Sequence, residues 1–502
     1  MAIGLPLGRS FQSISVGILL GALVFDILYR GDWKSRGRKI IQHRITQGAF
    51  LFFLPMLISL SWTEDTQAGI RLLKTFLPLV LVAPVISGMP SPRARAVNML
   101  LGLHLAALAL CTLIGLANYL SLELDQGNSR DWIPFINHIR LSLILLMGVI
   151  IGFHRFVSKD DWSRWLFLIL SIWFIGFMVL AEMMTGLAIG FILLSAWTIH
   201  SLFSRAAKSR ALVLVSVVAI LSCGVFLTSK YSNYFTYLDP ELIDMEARTA
   251  QGNTYWHESE NQLIQDGHYV WRYICREELS EAWSSRSQMP LEGIGQNGSR
   301  LEWGLIRYLT SKGVRKDTEA VMALSQEEVV AIEKGAVSVN QHNGGLNRRL
   351  DQLFFEWDAY RNGGNPSSNS LTRRIEYWRA SLLAIKGNPW LGSGIGDAQS
   401  VLNVEFESIG TLDRSAWHKS HQQYLSILLM LGIPLGIIAF LGILRAMGFF
   451  ISRNAWPIFT LAMTTLLLSF LTENTLETQT GMSFFLFYLA LAVSPKVHTE
   501  VE

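Results

Sequence analysis

Residues 370–425 contain arginine and histidine side chains of the kind that act on anionic substrates. Arg373 and Arg374 begin an amphipathic pattern, and the planar donor set of a guanidinium there can grip a diphosphate. His421 directly precedes an apolar segment, so its imidazole should lie at a membrane face and be able to act as a base. The alternative interpretation is that the two arginines are only solvated surface charges and that His421 is an interfacial histidine without a catalytic role.

A glycine-rich turn and a second histidine lie between these groups. In Gly392-Ser393-Gly394-Ile395-Gly396-Asp397 the glycines allow backbone N–H groups to approach a phosphate, with Gly394 as the candidate contact. A simple turn after Pro389 is the alternative. His418, three residues before His421, is a candidate second base or substrate ligand. No third ligand of suitable type and spacing stands near, so we expect no metal ion.

Arg140 is a charge in the outward half of an otherwise apolar segment, where insertion costs about 2.5–3.5 kcal/mol. Either snorkelling to the interface or a role in substrate binding would offset that cost. Glu182 lies near the same surface and would either pair with Arg140 or mark a tight turn.

The composition places these residues in a membrane protein. With 50% hydrophobic and 16% charged residues over 502 positions, the chain is too apolar for an ordinary soluble enzyme. We predict an all-α, polytopic membrane helix bundle of about 11–12 transmembrane helices. The net charge of +3 argues against a nucleic-acid partner. The spans are expected near 11–29, 45–62, 72–89, 96–120, 134–153, 163–181, 185–203, 210–228, 423–444, 455–471 and 480–494.

The charges of the connections orient this bundle, because Lys and Arg concentrate in short cytoplasmic loops. Alternate connections are acidic and should lie outside: Glu64 and Asp65, Glu123 and Asp125, Glu473 and Glu477. The others are basic: Arg30 to Arg44, Arg93 and Arg95, Arg155, Lys159 and Arg164, then Arg205, Lys208 and Arg210. The amino terminus then lies outside. We expect a transmembrane block at 1–228, a mostly helical outer loop domain at 229–420 and a second transmembrane block at 421–502.

In their order along the chain, the motifs resemble those of the O-antigen ligase and O-antigen polymerase superfamily of multi-pass glycosyltransferases. That family has an Arg four residues before a Trp, a glycine turn after a Pro, and a His-Asn/Gln-x-Tyr-Leu helix start. The matching residues here are Arg374 with Trp378, Pro389-Trp390-Leu391-Gly392-Ser393-Gly394 and His421-Gln422-Gln423-Tyr424-Leu425. Residues 137–142, 273–279 and 305–313 are similar to a ligase subgroup.

The chain departs from the family at one place. Many members carry a Ser-Arg pair where this sequence reads Met183-Met184-Thr185-Gly186. We expect Arg140 to replace the missing arginine.

The resemblance implies transfer of a glycan from undecaprenyl diphosphate to a sugar hydroxyl, on the periplasmic side of a bacterial inner membrane. Arg374 and Arg140 would bind the diphosphate as its negative charge grows, and His421 would take the hydroxyl proton. Attack opposite the leaving diphosphate predicts inversion, with neither metal nor cofactor. Further substrate contacts are expected from Arg373, Gly394, Gln422, Tyr424, His418 and Glu182.

Several functions fit this reading. The subgroup-like outer stretch favours ligation of O-antigen to the lipid A core, while polymerisation of repeat units and protein O-glycosylation use the same scaffold. The expected partners are a lipid-linked glycan donor, the lipid A core or another glycan acceptor, and the bilayer. The non-enzyme alternative is a glycan or lipid transporter. Such a protein is expected to have charged residues in several spans and discontinuous helices at mid-membrane. Here the polar groups gather at one face instead.

Overall fold

The computed structural model describes residues 1–90, 92–121, 132–133, 135–203, 210–236, 247–296, 299–342, 345–448 and 457–492. Contacts divide the chain into two compact units, Met1–Leu193 with Arg373–Glu502, and Leu194–Thr372. The described residues are mostly helical, and their one sheet pairs β1 (Ile264–Gln265) with β2 (His268–Tyr269). The prediction of an all-α polytopic membrane protein is therefore confirmed. Glu123, Asp125, Arg205 and Lys208, used above to orient the bundle, lie outside the described residues.

The first half of the chain is mostly a series of apolar helices, with the short basic helix Trp33–Gln42 among them. They are α1 (Gly4–Leu7), α2 (Arg9–Arg30), α3 (Trp33–Gln42), α4 (Arg44–Ile58), α5 (Thr66–Gly88), α6 (Ala94–Ser121), α7 (His138–Ser158), α8 (Arg164–Leu180), α9 (Met184–Phe203) and α10 (Arg210–Phe235).

Shorter, more polar helices follow. They are α11 (Arg276–Arg286), α12 (Leu301–Ser311), α13 (Thr318–Met322), α14 (Gln326–Glu333), α15 (Val339–His342) and α16 (Gly345–Arg361). The last group is α17 (Ser370–Gly387), α18 (Ala398–Ile409), α19 (Gln423–Met447), α20 (Pro457–Ser469) and α21 (Gln479–Ala492).

Within the described residues, eight helices are long and apolar enough to cross a membrane, and three shorter apolar helices accompany them. The eight include α2, α7 and α19, and the shorter three are Arg164–Leu180, Ile458–Ser469 and Gln479–Leu491. Each predicted span coincides with one of these helices over its described part. Most of their backbone groups bond within the helix, as a bilayer requires.

The first unit is held by close helix packing. A Cβ added at Gly48 of α4 would lie 2.4 Å from Ala446 N of α19, and one at Gly442 of α19 would lie 2.5 Å from Phe52 N. Glycine at both places lets the two backbones meet, the usual way that membrane helices pack. This contact fixes α19, the helix that His421 precedes.

The second unit has its own core, which includes the fully buried Trp283 and Tyr308. Helix α11 begins at Arg276, because Ile274 just before it pairs with Trp256 as extended backbone. Residues 318–333 form two short helices, α13 and α14. Ser325 begins the second with a capping box, its hydroxyl accepting from the N–H of Glu328 at 3.1 Å.

Candidate active site

Three predicted site residues converge on one buried carboxylate, Glu473. Nη1 of Arg140 lies 3.3 Å from its Oε2, Nη2 of Arg374 lies 2.7 Å from its Oε1, and Nδ1 of His421 lies 3.6 Å from Oε2. Arg140 comes from the first turn of α7, Arg374 from the start of α17, and His421 precedes α19. Glu473 lies in the loop between α20 and α21 and is 2% exposed. Residues distant in sequence thus form one charged cluster.

The cluster keeps Glu473 ionised. Burial by itself would raise the pKa of this carboxyl, but the neighbouring His421 and the charges of Arg140 and Arg374 outweigh burial and lower the pKa to about 2. The positive charge of the partly buried Arg140 is likewise balanced, because its guanidinium contacts the Glu473 carboxylate. The ion pair with Glu473 therefore offsets the cost of placing the Arg140 charge in an apolar segment.

His421 is held in an unusual backbone conformation. Its φ is 48°, in the left-handed region that a residue with a Cβ seldom occupies. The next residue, Gln422, is extended and caps α19, accepting from the N–H of Leu425. The ring of His421 stacks on Tyr377, with centroids 5.6 Å apart and planes 21° apart. Strain of this kind gathers at functional sites, where the surroundings hold it in place.

His418 has a different environment from His421. The two ring centroids are 4.8 Å apart, and Nδ1 of His418 accepts from the N–H of Lys419 at 2.9 Å. Burial, followed by the charges of His421, Lys419 and Arg373, lowers the pKa of His418. His418 is therefore kept neutral, while His421 faces the carboxylate.

A polar network fixes the loop that carries Glu473. Gln423, fully buried at the start of α19, donates from its N–H to Phe470 O at 2.9 Å and accepts from the N–H of Leu476 at 2.8 Å. Glu477 accepts from Asn474 at 2.9 Å and also from Ser426, besides pairing with Lys419 at 3.0 Å. These bonds hold the loop against α19.

Other predicted contact residues have structural partners. The hydroxyl of Tyr424 donates to Leu467 O at 2.9 Å, which ties α19 to α20. Gln422 is the cap described above. Glu182, with φ 55°, lies in the tight turn between α8 and α9, while Arg140 pairs with Glu473.

The glycine turn docks on a break in α19. Gly432 leaves helical geometry there, with φ 70° and ψ 177°, and Pro434 lacks the N–H that Met430 O would bind. The turn supplies replacements: Ser393 N–H donates to Leu429 O at 2.8 Å, and Gly394 N–H donates to Met430 O at 3.0 Å. The amide of Gly394 is thus used inside the protein, as the simple-turn alternative expects.

A cavity of about 540 Å³ adjoins the cluster at Arg140. Its size is that of an ordinary small-molecule site. Within the described residues, no group of three or more His, Cys, Asp or Glu side chains is arranged to hold a metal ion. The cavity is lined by Arg9, Ile133, Phe135, Ile136, Asn137, Arg140, Thr478 and Thr480.

Sequence reasoning did not identify Glu473 as a site residue, or Gln423 and Glu477 as its supports. From the sequence, Glu473 and Glu477 serve only as acidic residues that indicate the outer side of the membrane. One available signal was Arg140, because a charge within an apolar span needs a partner and Glu473 follows a span on the same predicted side.

Residues 328–441 match the family model described as O-antigen ligase. The matched segment contains Arg374, the glycine turn and His421, whose geometry is given above. The resemblance drawn from the motifs is confirmed over this segment: residues 328–441 of this multi-pass membrane protein are similar to the O-antigen ligase family. The match supports a glycosyltransferase-like ligase function for the chain, acting on lipid-linked glycans. No curated protein matches the chain.

Proposed function

We propose that this protein transfers a glycan from undecaprenyl diphosphate to a sugar hydroxyl of the lipid A core, with inversion, on the periplasmic face of the inner membrane. The convergence of Arg140, Arg374 and His421 on buried Glu473 is the observation that carries this proposal. It brings two fixed cations and one base together beside a cavity.

The two arginines suit a diphosphate leaving group. A guanidinium has five N–H donors, and one nitrogen each of Arg140 and Arg374 contacts Glu473. The remaining donors can bind phosphate oxygens. Because Glu473 holds both side chains in place before substrate arrives, their charge is positioned in advance where negative charge grows.

His421 suits the removal of a proton from the acceptor. With the proton of the ring on Nδ1, facing Glu473, Nε2 offers its lone pair to the attacking hydroxyl. As the new bond to the anomeric carbon forms and the bond to the diphosphate breaks, the hydroxyl proton passes to Nε2. Glu473 stabilises the resulting imidazolium, and such a base contributes about 10²- to 10⁴-fold.

The location of the cluster fits a lipid-linked donor. Arg140 lies in the first turn of one membrane-spanning helix, and His421 precedes another. Both therefore lie at the edge of the bilayer, where the phosphates of the donor lie while its isoprenoid stays among lipids. The periplasmic side and the three-part division at 228 and 420 are part of the proposal.

The test is the lipopolysaccharide of a deletion strain, analysed together with its lipid-linked glycan pool. We expect a bare core and an accumulation of long lipid-linked chains. A core bearing one repeat unit would instead identify a polymerase, and an unchanged pattern would contradict a role in lipopolysaccharide assembly. Plasmids carrying His421→Ala or Arg374→Ala should not restore long chains, whereas Arg414→Gln, which changes an exposed arginine paired with Glu407, should restore them.

A further inference from the structure

The cavity beside Arg140 contains a second arginine, Arg9, the first residue of α2. We propose that Arg9 is a donor-binding residue that contacts the diphosphate of the lipid-linked substrate. This inference rests on the proposed function and adds to it a residue outside the cluster at Glu473.

Arg9 is exposed and forms no ion pair within the described residues. Arg30, at the other end of α2, forms an ion pair with Asp26 at 2.9 Å. The predicted topology places Arg9 on the outer side, where short connections are poor in Lys and Arg. Membrane topology therefore does not explain why α2 begins with the basic residue Arg9.

The start of α2 is held in position. Gln479 of α21 donates from its side chain to Arg9 O at 2.9 Å and to the Ser13 hydroxyl at 2.6 Å. Gln12 donates to Leu5 O at 3.1 Å and is fully buried. The backbone that carries Arg9 is thus fixed at the cavity, and only its side chain has to move to meet a ligand.

The lining of the cavity matches a lipid diphosphate. Its charged members are Arg9 and Arg140, and no acidic residue lines it within the described part of the chain. Among the described residues Glu473 pairs with Arg140, whereas Arg9 has no acidic partner, so the described lining carries an excess of positive charge. Three apolar side chains border the same space and suit the first isoprene units: Ile133, Phe135 and Ile136.

The hydrogen-bonding side chains of the cavity add to this match. Asn137 and Thr478 immediately precede α7 and α21, and a helix start carries partial positive charge. A diphosphate between Arg9 and Arg140 would bring two anionic groups to two cations that otherwise repel each other. Arg9 would then act in binding, without taking part in proton transfer at His421.

The test measures binding of undecaprenyl diphosphate to the purified full-length protein in nanodiscs. Arg9→Gln should weaken binding about 10- to 100-fold, the usual effect of losing charge-assisted hydrogen bonds. Arg9→Lys should fall between Arg9→Gln and wild type, and Arg30→Gln serves as the matched control with unchanged binding. Thermal unfolding of Arg9→Gln should equal that of wild type, because the side chain is exposed.

The outcomes separate this inference from the proposed function. Weaker binding of Arg140→Gln together with unchanged binding of Arg9→Gln would overturn the role of Arg9 alone. Absence of binding by the folded wild type would overturn both. If Arg9→Gln weakened binding of the phosphorylated lipid A core and not of undecaprenyl diphosphate, Arg9 would belong to the acceptor, and the assignment to the donor would fail.

Discussion

Replacing Glu473 with glutamine removes one negative charge from the cluster while keeping the size and shape of the side chain. Arg140, Arg374 and His421 would then face each other without the anion between them. We expect Glu473→Gln to destabilise the protein as well as to lower transfer, because the same carboxylate holds all three groups in place.

The pKa of Glu473 gives the size of this effect. The ordinary value is 4.5 and the cluster lowers it to about 2. Since each pKa unit corresponds to about 1.36 kcal/mol, the charged form contributes about 3 kcal/mol to folding. Removing one partner of a buried ion pair costs about 3–5 kcal/mol, which agrees. The carboxylate is nearly fully buried, so solvent screens little of this energy.

The direction of the pH dependence follows from the lowered pKa. A carboxyl with a depressed pKa in the folded state stabilises fully above its unfolded value and loses that contribution as pH falls through the folded value. Wild type should therefore lose this stabilisation progressively between about pH 5 and about pH 2. Glu473→Gln lacks it at every pH, so the two proteins should differ most near neutrality and converge in acid.

The assay is unfolding of the purified protein in mild detergent, followed by tryptophan fluorescence at neutral and at acidic pH. Glu407→Gln is the matched control, because the side chain of Glu407 is 66% exposed and its pair with Arg414 should contribute about 0–1 kcal/mol. Arg140→Gln added to Glu473→Gln should recover part of the loss by removing the repulsion. If Glu473→Gln were as stable as Glu407→Gln at neutral pH, the cluster would not be the stabilising unit described here.

Three further predictions concern other parts of the site. His421→Ala and Arg374→Ala should insert normally and abolish transfer, measured with membranes and extracted lipid-linked glycan; full activity of either variant would refute its assignment. Gly392→Val should lower the unfolding temperature, because a Cβ at this position would lie 2.4 Å from Gly432 N. The φ of 66° adds about 1–3 kcal/mol of backbone strain for a residue with a side chain. An unchanged unfolding temperature would contradict the docking of the turn on α19. Tyr424→Phe should lower stability by about 1 kcal/mol and retain transfer, because the Tyr424 hydroxyl donates to Leu467 O. Loss of transfer in the folded variant would mean that Tyr424 contacts the substrate.

The sequence predicted the helices of the membrane part well, because long apolar runs have few alternative structures in lipid. Residue type and position made Arg140, Arg374 and His421 candidates, and the resemblance to ordered family motifs then implied the roles of Arg374 and His421, with Arg140 expected to replace a missing arginine. The sequence did not predict Glu473, since an acidic residue in an outer connection is ordinary and its burial depends on a loop fixed by Gln423 of another helix. Arg374 and Glu473 are 99 positions apart, a separation over which no local pattern extends.

The glycine turn shows why residue type alone could not decide a role. Flexible glycines suit a phosphate cradle and a tight packing contact equally well, and the choice depends on what faces their amides. Here the facing groups are Leu429 O and Met430 O, which the break at Gly432 and Pro434 deprives of helical donors. Within the bilayer an unpaired carbonyl costs several kcal/mol, so the turn must be present for α19 to keep its break. The turn therefore serves His421 indirectly, by fixing the short first part of the helix that begins beside it.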